Sequence, residues 1–182
     1  MTGQKSKDKP ERFMKAALGY ARKGLGKTSP NPAVGAVIVR KNQIIAAGFH
    51  RKAGAPHAEV EALNRLQGKA RPGDTLYVTL EPCNHYGRTP PCTQAILEKG
   101  VRKVVVGMKD PNPRVKGGGC EVLSRQGVEV VTGVLELECR RLNEWFVTYV
   151  TKRRPFVIAK TAMTLDGWTA TSTGHSRWVT NE

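Results

Sequence analysis

Two short stretches carry side chains whose types and spacing could do chemistry. One is APHAEVEAL, with His57 and Glu59 two residues apart; the other is LEPCNHYGRTPPC, in which Cys83 and Cys92 flank NHYGRTPP. Imidazole and thiolate are zinc ligands, and one histidine with two thiolates leaves the fourth tetrahedral position free for water, as catalytic rather than structural zinc sites require. Zinc brings the pKa of bound water towards about 7, so hydroxide becomes available at neutral pH. Attack on an aromatic amidine carbon also needs a proton shuttle, and Glu59 is the candidate. It would take a proton from the zinc-bound water, pass it to a ring nitrogen and later protonate the departing amine. It is not expected to ligate the metal.

The elements that must position these residues follow from the periodicity. Apolar residues at helical spacing predict a helix over 11–25, with Gly26 to stop it. Two apolar runs, 34–39 and 44–49, are separated by Arg40 to Gln43 and read as an antiparallel hairpin. A helix over 58–66, a strand over 75–80, a helix over 93–99 ended by Gly100 and a strand over 103–107 come next. A helix over 119–125, a strand over 128–131 and a last helix over 135–149 complete the pattern. That order implies a mixed central sheet of about five strands with helices on both faces. His57 and Glu59 then stand where a loop enters a helix, and Cys92 starts the next one. Helix N-termini carry partial positive charge, which favours thiolate, and sites in open α/β sheets form outside the carboxyl ends of strands.

Composition sets the bounds. The 182 residues, 39% hydrophobic and 25% charged, suit one globular domain with an appendage. We expect a flexible start over 1–10, a main domain over 11–150 and an appended segment over 151–182. No apolar run approaches a membrane span, and the first nine residues are polar, so a cytoplasmic protein without a membrane partner is expected. Four cysteines make no disulfide framework in a chain this long, which favours metal or catalytic thiols in a reducing compartment. The net charge of +15 attracts phosphates, nucleic acid or acidic metabolites. The basic residues are scattered, however, with few aromatics among them to stack bases, so nucleic acid is a minority reading.

His57-Ala58-Glu59 completes the first half of the H-x-E … P-C-x-x-C pattern of zinc deaminases, whereas Pro82-Cys83 is followed by eight residues before Cys92. PCNHYGRTPPC, with TSPNPAVGAVIV, GFHRKAGAPHAEVEAL and DPNPRVKGGG, resembles the deaminase domain of the bacterial bifunctional riboflavin biosynthesis deaminase/reductase, over about residues 11–149. The resemblance implies a cytidine deaminase-like three-layer α-β-α sandwich. It also implies one zinc per chain, and deamination of a diaminohydroxypyrimidine carrying ribosylamine and a 5′-phosphate. His57, Cys83 and Cys92 match the family's zinc ligands and Glu59 its proton shuttle. Asn31, His50, His85 and Arg88 fall where members contact substrate, and Arg88 is a cation suited to a phosphate. RPFVIAKTAMTLDGWTATSTGHSRWVTNE resembles the first strands of the same protein's reductase domain. There Ser176 and Trp178 match positions touching substrate and NADPH. Nearly all of that domain is absent from the sequence, so no reductase activity is expected, and the tail should be disordered, docked or swapped between subunits. Relatives of this fold often form homo-oligomers, and one is expected here.

Plainer readings stand beside these. His57 could cap a helix and Glu59 complement its dipole, but neither explains the cysteines. Asn31 between two prolines is a natural turn residue, His50 and His85 have similar bland readings, and Arg88 could be a solvated loop charge. Cys120 and Cys139, without nearby His or Cys, read as packing. Two rival functions remain in view. A tRNA adenosine deaminase would use the charge but would show the short P-C-x-x-C; a non-catalytic zinc module binding nucleic acid would have no use for Glu59.

Overall fold

The computed structural model describes residues 8–87, 90–113 and 118–177. Its centre is a five-stranded sheet in the order β2-β1-β3-β4-β5, formed by β1 (Gly35–Arg40), β2 (Gln43–Phe49), β3 (Thr75–Leu80), β4 (Lys103–Met108) and β5 (Glu129–Thr132). β1 runs antiparallel to both β2 and β3, while β3, β4 and β5 are parallel. The hairpin forms because Lys41 and Asn42 both adopt positive φ, which suits the twist of the flanking strands and turns the chain in two residues. The three inner strands, GAVIVR, TLYVTL and KVVVGM, are buried almost throughout, as continuous apolar runs covered on both faces should be.

Among the described residues five helices cover the sheet and a sixth follows them. α1 (Asp8–Arg22) and α5 (Glu136–Leu142) pack on one face. α2 (Ala58–Arg65), α3 (Cys92–Lys99) and α4 (Gly119–Arg125) pack on the other, and α6 (Glu144–Lys152) follows α5. This is the expected mixed α/β sandwich. Met14, Ile38, Leu76, Ile96, Val104 and Met108 are among the fully buried side chains between the layers. α2 seats flush on the hairpin because residue 48 is glycine: a Cβ there would stand 2.5 Å from the Ala58 carbonyl oxygen and the Ala62 nitrogen.

The structure corrects three sequence expectations. α1 already includes Asp8, Lys9 and Pro10, assigned above to the flexible start, because a proline in the first helical turn lacks only an N–H that has no partner there. It ends at Arg22, short of the predicted stop near Gly26, since the chain turns there with Gly24 packed under the His50 carbonyl. The single last helix over 135–149 is two helices, parted at Asn143, whose backbone leaves the helical region (φ −115°, ψ 31°).

Residues 153–177 contain neither helix nor strand, and nearly all are exposed. Their hydrogen bonds are local, from Trp168 to Thr164 and from His175 to Thr171. Among the described residues no helix is long and apolar enough to cross a membrane.

Candidate metal centre and cleft

The carboxyl ends of β3 and β4 and the start of α2 frame a cleft of about 400 Å3. His57 is the N-cap residue of α2, in extended conformation, so its ring projects past the helix end. Cys83 follows β3 by three residues, and Cys92 is the first residue of α3. At the start of α3 the chain is back beside Cys83, where the Thr93 N–H donates to the Cys83 carbonyl at 3.2 Å. The Thr93 hydroxyl also donates to Asn84 Oδ1 at 2.8 Å. The longer spacing between the cysteines therefore does not part them.

His57 Nδ1 lies 3.2 Å from Cys92 Sγ and 3.5 Å from Cys83 Sγ, and the three atoms all fall within 4.8 Å of one another. A tetrahedral zinc with bonds of about 2.0 Å to nitrogen and about 2.3 Å to sulfur separates such ligands by roughly 3.5 Å, so the three side chains fit that ion. The Cys92 thiol donates to Cys83, and His57 adds a second hydrogen bond, which together hold the Cys83 thiol well below its ordinary value. Cys92, the donor and more buried partner, is pushed up. His57 is raised, mainly by its bond to Cys83. A thiolate beside an imidazole is a metal-ready pair.

Glu59, two residues into the same turn of α2, is only 3% exposed and lines the cleft beside these three. Burial raises its carboxyl to about 7, against the opposing pull of His57, which suits proton transfer in either direction near neutral pH. His50, at the end of β2, is also buried and stacks edge-on against His57 with ring centres 5.3 Å apart. Burial lowers its pKa, and its two ring hydrogen bonds call for one donor and one acceptor, as a neutral imidazole provides. Its Nδ1–H then donates to the Pro56 carbonyl at 3.1 Å, leaving Nε2 to accept from Asn31 Nδ2 at 3.1 Å. The Asn31 amide is thereby oriented, with its carbonyl oxygen free of that bond.

Asn31, His50 and His85 thus border the same cleft as His57, Cys83 and Glu59, with His85 exposed at its mouth. Arg88 and Trp178 lie outside the described residues. Ser176 is exposed in the tail and takes no part in the cleft. Cys120 and Cys139 are buried, and burial pushes both thiols up to about 12, as inert packing residues.

Sequence reasoning assigned no role to Glu81, Asp110, Asn112 or Phe146, which also line the cleft. The buried Glu81 accepts the backbone N–H of Asp110 and of Cys120, both at 3.0 Å, and so ties the loop after β4 and the start of α4 to the Pro82-Cys83 turn. Asp110 accepts the Asn112 N–H at 2.9 Å, and burial raises its carboxyl. The signals were present, as a glutamate directly before Pro-Cys and as Asp110-Pro-Asn112, but only the fold brings the two together.

Residues 7–108 match the family model of the cytidine and deoxycytidylate deaminase zinc-binding region. The chain belongs to this family. It is 55% identical over 170 residues to the riboflavin biosynthesis protein RibD of Aquifex aeolicus, covering 93% of this chain and 48% of that protein. It is 45% identical over 171 residues to RibD of Escherichia coli, covering 94% and 46%. The crystal structure of a diaminohydroxyphosphoribosylaminopyrimidine deaminase/5-amino-6-(5-phosphoribosylamino)uracil reductase from Thermotoga maritima superposes with a TM-score of 0.89 at 52% identity, covering 96% of this chain and 50% of that one. Acinetobacter baumannii RibD superposes with a TM-score of 0.85 at 45% identity, covering 97% and 49%. The chain spans about half the length of the curated relatives it matches. Its sandwich is the cytidine deaminase-like fold, and the domain is that of a zinc-dependent deaminase.

Proposed function

We propose that this chain deaminates 2,5-diamino-6-ribosylamino-4(3H)-pyrimidinone 5′-phosphate in riboflavin biosynthesis. The observation that carries the reading is one cleft lined by His57, Cys83, Glu59, Asn31, His50 and His85, with Cys92 completing the ligand triangle beneath it. His57 Nδ1 and the thiolates of Cys83 and Cys92 would hold one zinc, which when bound supplies Lewis acidity that makes hydroxide available near neutral pH. Glu59 accepts one proton from the attacking water and delivers it to the ring nitrogen, then takes the second from the newly bonded hydroxyl and delivers it to the leaving amine. The new C–O bond replaces the C–N bond, so one water is consumed and one ammonia released. Asn31, held by the neutral His50, presents a carbonyl oxygen to a donor on the substrate, and His85 stands at the entrance. Arg88 is proposed to meet the 5′-phosphate.

Residues 151–182 are read as the start of a second, reductase domain, in which Ser176 and Trp178 would serve NADPH and substrate in a longer protein. The four free cysteines fit a reducing cytoplasm.

The test is ammonia release by the purified, zinc-loaded chain on the phosphorylated diaminopyrimidine and on a tRNA adenosine stem-loop, with NADPH oxidation followed alongside. Turnover of the pyrimidine without NADPH use supports the reading. Turnover of the stem-loop alone overturns it, and silence on both with zinc bound points to a non-catalytic module.

A further inference from the structure

Asn143 stands at the break between α5 and α6, fully buried and 110 residues away in sequence from what it touches. Its Oδ1 accepts the Ala33 N–H at 2.8 Å, and its Nδ2 donates to the Ala33 carbonyl at 2.9 Å. An amide side chain offers a donor and an acceptor in one plane, which is what a two-point grip on one residue's backbone needs; aspartate lacks the donor and serine the reach. Asn143 also occupies the N-cap position of α6, where asparagine ordinarily turns its side chain onto the helix's own first N–H groups. Here it makes no such cap, and the amide is spent on Ala33 instead.

Ala33 is close in the chain to Asn31 and, through Val34, to His50, two polar residues of the cleft lining. Asn31 lies two positions before it, its own N–H donating to the Thr28 carbonyl at 2.8 Å. Val34, one position after it, accepts the N–H of His50 at 3.0 Å. The side chains of Asn31 and His50 then meet each other. The break that frees the Asn143 amide also starts α6 so that Phe146, three residues on, lines the same cleft.

We propose that Asn143 is a positioning residue: by gripping Ala33 it fixes the loop carrying Asn31 against His50, and so sets the orientation of the Asn31 amide that the substrate meets. It touches neither metal ligands nor substrate and acts through Asn31. The kinetic part of this inference rests on the substrate proposed above; the spectroscopic part does not.

The experiment is a double-mutant cycle of Asn143→Ala and Asn31→Ala, with KM, kcat, zinc content and melting measured for each, and Asn143→Asp as the second variant because it keeps the acceptor and loses the donor. Asn143→Ala should raise KM at least about tenfold with zinc retained, and add less than about twofold once Asn31 is already alanine. Effects that multiply in the double variant overturn the proposal. Independently of turnover, 15N spectra of the zinc-loaded protein should show the Asn31 side-chain amide losing its hydrogen-bonded shift and the His50 ring losing its single tautomer in both Asn143 variants, with His57 unchanged. Unaltered Asn31 and His50 signals overturn the proposal even if KM moves. If neither Asn143 variant folds with zinc, the residue is structural and the proposal fails. A wild-type chain that ignores the pyrimidine defeats the proposed function, and the spectra then decide this inference alone.

Discussion

Two stretches of this chain are nearly the same in composition and opposite in fate. Ala36-Val37-Ile38-Val39 in β1 is buried, with Val37 and Ile38 at 0% exposure, while Phe156-Val157-Ile158-Ala159 in the tail leaves Val157 and Ile158 80% and 78% exposed. What differs is the company. β1 has β2 on one edge and β3 on the other, with α1 and α2 packed against it. The tail pairs with nothing comparable among the described residues. A β-branched run specifies willingness to be a strand, and partner strands decide whether its apolar area leaves water.

The largest effect belongs to the site that the α/β sandwich assembles. Cys92→Ala removes one of three ligand atoms, and metal analysis should show the zinc lost and ammonia release abolished, whereas Ser176→Ala in the tail should alter neither. Next comes the core. Ile38→Ala should cost about 2–5 kcal/mol in denaturant unfolding, the usual range for emptying a packed position. Asp74 gives a smaller, pH-dependent effect. Its buried carboxylate accepts two hydrogen bonds from Arg40, at 2.8 and 2.7 Å, and one from the Arg71 N–H at 2.8 Å. The Arg40 hydrogen bond above all holds its pKa below the usual carboxylate range. The stabilisation is therefore present above the unfolded carboxyl pKa of about 4 and is lost as pH falls through the lower folded value. Asp74→Asn should cost about 1–3 kcal/mol at pH 7, and its gap from the wild type should close in acid-titration melts below about pH 4. The smallest effect is Ile158→Ala, within about 0.5 kcal/mol of wild type, because the side chain is already in water. A larger loss there would mean the tail is packed after all.

Much of the fold was legible because it is locally encoded. The hairpin follows from two apolar runs and a turn that needs two residues at positive φ, which Lys41 and Asn42 supply. α3 ends where expected because Gly100 takes the left-handed cap conformation (φ 82°). The gathering of His57, Cys83 and Cys92 was legible too, since His57 and Cys92 stand at helix starts that the periodicity marks. The break at Asn143 was not: Leu135, Leu142, Phe146 and Tyr149 keep a helical rhythm straight through it, and the Asn143 amide pairs there with Ala33, far away in sequence. Glu81 and Asp110 were missed for the same reason, as a buried carboxylate bridging two loops leaves no periodic trace.

We propose that His57, Cys83 and Cys92 hold the metal and that a fourth side chain, Glu59, moves protons without touching it. The most direct measurement is zinc content together with ammonia release in Glu59→Gln. One zinc per chain, as in the wild type, is expected, with deamination lower by at least about a hundredfold, the scale of a lost acid-base group. Zinc lost along with activity would make Glu59 a ligand, and activity retained with zinc bound would remove it from the chemistry.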